Sequence, residues 1–104
     1  MREYALANLT DPVLSSDMVA EAVDLSVGYA RDLFRRITGE PMAEFVLRER
    51  LDRVKHGLES SSASVKDLAA EAGFSSYNYF FTAFKRSVGM TPRQYKNSVK
   101  RSAG

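Results

Sequence analysis

One pattern of residues occurs twice in this 104-residue chain, about fifty positions apart, and it restricts the possible folds more than any other feature. The first copy reads Met18-Val19-Ala20-Glu21-Ala22-Val23-Asp24-Leu25-Ser26, then Leu33-Phe34-Arg35-Arg36, then Gly39. The second reads Asp67-Leu68-Ala69-Ala70-Glu71-Ala72-Gly73-Phe74-Ser75, then Ala83-Phe84-Lys85-Arg86, then Gly89. Each copy outlines a short Ala-rich helix, a tight turn and a longer helix carrying a basic pair, the outline of a helix-turn-helix. Leu25 aligns with Phe74 at offset 49 and Phe34 with Phe84 at offset 50, which places one extra residue in the second copy, just inside its second helix.

The punctuation between these copies predicts an all-α fold of seven helices. A short helix over Arg2–Leu9 ends before Pro12, which cannot continue it. Ser15 or Ser16 caps a helix over Asp17–Val23, and Ser26 caps Val27–Thr38, whose Ala30, Leu33, Phe34 and Ile37 keep core spacing. The first helix-turn-helix therefore spans 17–38, and Gly39 stops it in a left-handed conformation. A linker helix over 42–59 carries Leu47, Leu51, Val54 and Leu58 on one stripe. Ser64 then caps Val65–Ala72, and a helix over Ser76–Val88 buries Phe80, Ala83, Phe84 and Val88, so that the second helix-turn-helix spans 65–88. Thr91-Pro92 starts a last helix over 92–99 bearing Tyr95, with a frayed tail at Lys100–Gly104.

Composition removes several function classes. Cysteine is absent, which excludes disulfides, thiol nucleophiles and thiolate metal sites. The lone His56 lies on the linker helix without clustered acids, no Gly-rich phosphate loop occurs, and the aromatic residues follow core spacing; an enzyme, a metal site and a cofactor are not expected. No apolar run approaches a membrane span, and a cytoplasmic protein is the expectation. The net charge of +2 is divided unevenly: residues 1–52 hold six Lys/Arg against ten Asp/Glu, and residues 53–104 hold nine against three. The second half is therefore expected to supply more attraction for phosphates.

The segment Val65-Lys66-Asp67-Leu68-Ala69-Ala70-Glu71-Ala72-Gly73-Phe74-Ser75, followed by Tyr79-Phe80 and by Phe84-Lys85-Arg86-Ser87-Val88-Gly89-Met90-Thr91-Pro92-Arg93-Gln94-Tyr95, resembles the signature of the AraC/XylS family of bacterial transcription regulators. The resemblance covers roughly Arg2 to Ser98. It implies two helix-turn-helix lobes joined by a long helix, reading successive major-groove segments of double-stranded promoter DNA, with RNA polymerase as a further partner. Many members also carry an N-terminal sensing or dimerisation domain. The family's first helix usually begins several residues earlier, so an excised DNA-binding domain is expected here, although small single-domain members also exist. Asp24 stands where the family prefers Gly, and Glu40-Pro41-Met42 lacks the cap that Thr91-Pro92 keeps, which predicts a less regular first lobe.

Carrying the family's contact positions over marks Gly28, Arg31 and Asp32 as facing base edges on the first recognition helix, where Val27 and Arg35 are also expected to be exposed. Arg31 can donate two bonds to guanine, while Asp32 either accepts from cytosine or orients Arg31. On the second helix the corresponding positions are Tyr77, Asn78, Phe81 and Thr82. Asn78 can pair with adenine; Phe81 either meets a thymine methyl or packs against Tyr77 or the linker helix. Thr82 stands where many members carry Arg. Arg35, Arg36, Lys85, Arg86, Thr91 and Arg93 are expected phosphate ligands. The rival reading is a helical interaction domain that contacts polymerase or another regulator without specific DNA binding.

Overall fold

Serine caps and left-handed turns divide the chain into seven helices: α1 (Arg2–Ala7), α2 (Ser16–Ala22), α3 (Val27–Thr38), α4 (Met42–Ser60), α5 (Val65–Glu71), α6 (Tyr77–Val88) and α7 (Pro92–Ala103). The computed structural model describes residues 1–103, with side chains through Val99, and contains no strand among them. Gly104 and the side chains of residues 100–103 lie outside that description, whereas the backbone of the tail expected to fray is helical through Ala103. The Oγ atoms of Ser15, Ser26, Ser64 and Ser76 accept from the N–H groups of Met18, Tyr29, Asp67 and Tyr79 respectively. Each such cap contributes about 1 kcal/mol. Gly39 and Gly89 end α3 and α6 at φ of 83° and 87°.

The chain forms two units, Met1–Arg50 and Leu51–Gly104, and α4 contributes turns to both. In the first unit Ala5, Val19, Phe34, Met42 and Phe45 form the buried cluster. Phe45 meets Phe34 edge-on, with ring centroids 5.2 Å apart and planes at 71°. Arg50 donates from Nε to the Leu9 carbonyl at 2.9 Å and from Nη2 to that of Asp11 at 2.8 Å, satisfying backbone acceptors in the loop after α1. In the second unit Leu51, Val54 and Leu58 from α4 are buried, with Ala69, Phe80 and Phe84. There Tyr95 meets Phe84 edge-on, at 5.8 Å and 76°. The ring pair is thus repeated at an offset of fifty residues on both partners.

Several sequence expectations are corrected. Residues Asp24 and Gly73 hold the left-handed turns, at φ of 56° and 107°, and lie 49 apart; the caps Ser26 and Ser76 lie 50 apart. The extra residue of the second copy therefore falls in the turn, at Ser75, and α3 and α6 are both twelve residues long. Helices α3 and α6 are equally regular, each with a serine cap and a left-handed glycine stop, while the first unit departs where expected, at Asp24 with its positive φ and at the start of α4. Ile37 was expected in the core but is 71% exposed. Its counterpart Ser87 is also exposed, so this position at the end of the helix faces solvent in both units. Leu47 is only half-buried, because α4 enters the first core through Met42 and Phe45. Helix α1 stops at Ala7, where the Asn8 side chain donates to the Tyr4 carbonyl at 2.9 Å, yet Leu9 remains buried. Helix α7 runs to Ala103, past the expected end at Val99, since Lys100-Arg101-Ser102-Ala103 contains no helix breaker.

Phe45→Ala is expected to destabilise the protein by about 3–5 kcal/mol, the usual result of emptying a buried aromatic site. Leu47→Ala should cost clearly less. Urea unfolding of both variants checks this order, and equal losses would contradict the assignment of Phe45 to the core.

Candidate nucleic-acid interface

Beside its concavity each recognition helix presents charged residues in the first unit, Arg31, Asp32 and Arg35, and aromatic ones in the second, Tyr77 and Phe81. On α3, Ala30 and Phe34 are buried, leaving Gly28, Arg31, Asp32, Arg35 and Arg36 exposed. Val27, expected to be exposed, is half-buried, because it starts the helix close to the core side. Among the described residues neither Arg31 nor Asp32 enters an ion pair, so the arrangement in which Asp32 orients Arg31 is not the one observed. On α6, Asn78, Thr82, Lys85 and Arg86 are exposed. Tyr77 and Phe81 are 41% and 37% exposed, and their ring centroids lie 6.4 Å apart. Phe81 therefore packs on Tyr77 and also keeps an open face, so the two expectations for it are compatible.

Each recognition helix borders a concavity built from equivalent elements. In the first unit it measures about 240 Å³ and is lined by Ser16 of α2, by Arg31, Asp32 and Arg35 of α3, and by Pro41, Met42 and Ala43 at the start of α4. In the second it measures about 560 Å³ and takes in Val65 and Lys66 of α5, Tyr77 and Phe81 of α6, and Thr91, Pro92, Arg93 and Lys96 around the start of α7. Expected phosphate ligands Thr91 and Arg93 thus stand beside expected base readers Tyr77 and Phe81, and Arg35 beside Arg31 and Asp32. Lys85, Arg86 and Arg36 line neither concavity.

The start of α7 is held by two contacts. Thr91 and Gln94 form a reciprocal capping box: the Thr91 N–H donates to Gln94 Oε1 at 2.9 Å, and the Gln94 N–H donates to Thr91 Oγ1 at 3.2 Å. The Tyr95 hydroxyl donates to the carboxylate of Glu59 on α4. That hydrogen bond, with burial and the carboxylate charge adding to it, pushes Tyr95 from 10.0 up to about 12. Lys96 donates to the Ala63 carbonyl at 3.2 Å, tying α7 to the loop before α5. In the first unit the position equivalent to Thr91 is Pro41, which has no capping side chain, and the neighbouring Glu40 carboxylate pairs with Arg48 at 2.6 Å.

Sequence reasoning missed four exposed or lining residues. Tyr29 and Tyr79 are 52% and 57% exposed and lie fifty residues apart, so carrying the repeat offset along the helix would have paired them. Lys66 and Lys96 join the second concavity from α5 and α7. Their only advance signal was the basic excess of the second half. His56 is exposed, and the described residues hold no cluster of His, Asp or Glu suited to a metal ion. No helix among them is long and apolar enough to cross a membrane.

A family model described as a helix-turn-helix domain matches residues 19–98. The chain is 34% identical over 91 residues to the melibiose operon regulatory protein of Escherichia coli, a match covering 88% of this chain and 30% of that protein. It is 39% identical over 72 residues to the HTH-type transcriptional activator RhaR of Yersinia pseudotuberculosis, covering 69% of this chain and 25% of that protein. Among solved structures it is similar to the C-terminal domain of the two-component response regulator yesN from Fusobacterium nucleatum, with 29% identity, a TM-score of 0.88, and coverage of 91% of this chain and 92% of that one. The chain thus spans between 25% and 30% of the length of these curated relatives.

The Tyr95–Glu59 contact sets a pH dependence. Tyrosine in the unfolded chain ionises near 10.0, and the folded value is higher. The contact therefore stabilises fully below pH 10 and is lost as pH rises from 10 towards 12. Tyr95→Phe should cost about 1 kcal/mol at neutral pH, and this difference should shrink over that alkaline window. Urea midpoints measured against pH test it; a difference that stays constant would rule out the ionising contact.

Proposed function

The chain belongs to the AraC/XylS family of helix-turn-helix regulators, and on that premise we propose that it binds double-stranded DNA sequence-specifically in the regulation of transcription. The observation that carries this reading is the repeated site: in each unit a capped recognition helix exposes polar or aromatic residues beside a concavity that also holds cations. Helices α3 and α6 enter successive major-groove segments. Gly28, Arg31 and Asp32 meet base edges in one, and Tyr77, Asn78, Phe81 and Thr82 in the other. Gly28 has no side chain to hold the backbone off the bases, and the space where its Cβ would lie is open.

Arg35, Arg36, Lys85, Arg86, Thr91 and Arg93 serve as phosphate ligands, joined by Lys66 in the first turn of α5. The action is at promoters in the cytoplasm, with RNA polymerase as a second partner. The similarity to RhaR, a transcriptional activator, supports that partner. A sensing or dimerisation domain, such as many family members carry, is a further partner on this reading, and the relatives' greater length leaves room for one in them.

In vitro selection from random duplexes at two salt concentrations tests the reading, with two short enriched blocks as the expected result. Arg31→Ala should then cost about 1–3 kcal/mol and relax preference at one guanine, whereas Arg86→Ala should weaken all duplexes alike and lower the salt slope by about one. Loss of selectivity, with only salt-labile binding remaining, would instead favour the protein-interaction reading, which the acidic first half supports.

A further inference from the structure

We infer that Tyr77 and Phe81 make the second unit a reader of pyrimidine 5-methyl groups, one that accepts 5-methylcytosine in place of thymine. This rests on the DNA-binding reading above and assigns a chemistry to part of that surface.

Phe81 is not a loose surface ring. Its centroid lies 6.4 Å from that of Tyr77, and Tyr77 lies 5.7 Å from the buried Phe80. A continuous row of rings thus runs from the core to the surface, so Phe81 is positioned before any ligand arrives. Phe81 still exposes 37% of its surface, into a concavity shared with Lys66, Thr91 and Arg93. A ligand suited to that place offers an apolar group flanked by anions. In the DNA major groove the thymine methyl is the apolar group that base edges present, and phosphates border it on both sides.

A phenyl ring has no hydrogen-bond donor or acceptor, so it cannot tell the O4 of thymine from the amino group of cytosine. What it senses is the substituent at carbon 5, which thymine and 5-methylcytosine share. Fifty residues earlier the equivalent position is Arg31, beside Asp32 and Arg35. That unit reads through hydrogen bonds and is indifferent to the methyl. The two units therefore respond differently to one chemical change in the duplex.

The test uses the full chain and a duplex obtained by the selection described above. Each thymine is replaced in turn by uracil, and each thymine–adenine pair by 5-methylcytosine–guanine and by cytosine–guanine; affinity is read by competition anisotropy at one salt concentration. At one or more thymines, uracil should weaken binding about fourfold, the value of one buried methyl group. At the same position 5-methylcytosine should bind about fourfold tighter than cytosine. Both differences should disappear in Phe81→Ala and persist in Phe81→Leu, which keeps an apolar end; thermal unfolding verifies that both variants fold. Specific binding in which no thymine responds to uracil overturns the methyl reading and leaves DNA recognition standing. A methyl effect unchanged in Phe81→Ala likewise overturns the assignment to this ring. Failure of the chain to select any duplex overturns both.

Discussion

The edge-to-face ring contact between a recognition helix and the helix that follows it is the constraint on which both units depend. Phe34 with Phe45, and Phe84 with Tyr95, have nearly the same separation and tilt. Each pair adds about 0.5–1.5 kcal/mol beyond the area it buries. Its larger effect is geometric. The second ring stands one turn inside α4 or α7, so fixing it also fixes the first turn of that helix against α3 or α6. Pro41 to Ala43 are thereby held beside Arg31 and Arg35, and Thr91 to Arg93 beside Tyr77 and Phe81. A cation stands over the second ring in each unit: Arg48 over Phe45 at 5.4 Å and Lys55 over Tyr95 at 5.9 Å. The polar surface is thus anchored to the core by the same aromatic residue.

Much of this was legible in the sequence, and for identifiable reasons. A serine before a helix, a glycine after it and a threonine–proline start each act within a few residues, so they can be read without knowing the tertiary structure. Helix α3 was bounded correctly on those grounds, at Val27–Thr38. Phe45 and Ile37 show where such reading fails. Helical spacing places both on plausible apolar stripes, but burial depends on what lies opposite. Phe45 has Phe34 opposite it; Ile37 has solvent. Helix α4 was hardest to read because its apolar face serves one unit through Met42 and Phe45 and the other through Leu51, Val54 and Leu58. A single stripe drawn through it selected Leu47, which belongs fully to neither core.

The internal repeat held the missing information. At an offset of fifty, Met42 corresponds to Pro92 and Phe45 to Tyr95, and both members of the first pair are buried. Before the turn the offset is 49: Leu9 corresponds to Leu58 and Ala5 to Val54, all four buried. The last turns of α4 thus do for the second unit what α1 does for the first. Core positions have kept their apolar character because packing at interior density tolerates little change in volume. The exposed positions carry no such restriction, and the candidate site could be located in the sequence more easily than its chemistry could be assigned.

That freedom has been used in opposite directions by the two units. Asp17 of α2 corresponds to Lys66 of α5, Ala43 to Arg93, and Val46 to Lys96. Each change gives the second unit a cation that the first lacks, all three around one concavity. Attraction to phosphates depends on charge and not on base sequence, so on the proposed function most of the sequence-independent affinity comes from the second unit. On the same reading the first unit would bring Asp32 towards the backbone with fewer cations to offset it. On the proposed function that unit would bind favourably only where hydrogen bonds from Arg31 repay the repulsion, and a wrong base pair would leave it uncompensated. Strong attraction in one unit permits this selectivity in the other: the second unit can hold the chain near DNA while the first rejects most of the sequences it meets.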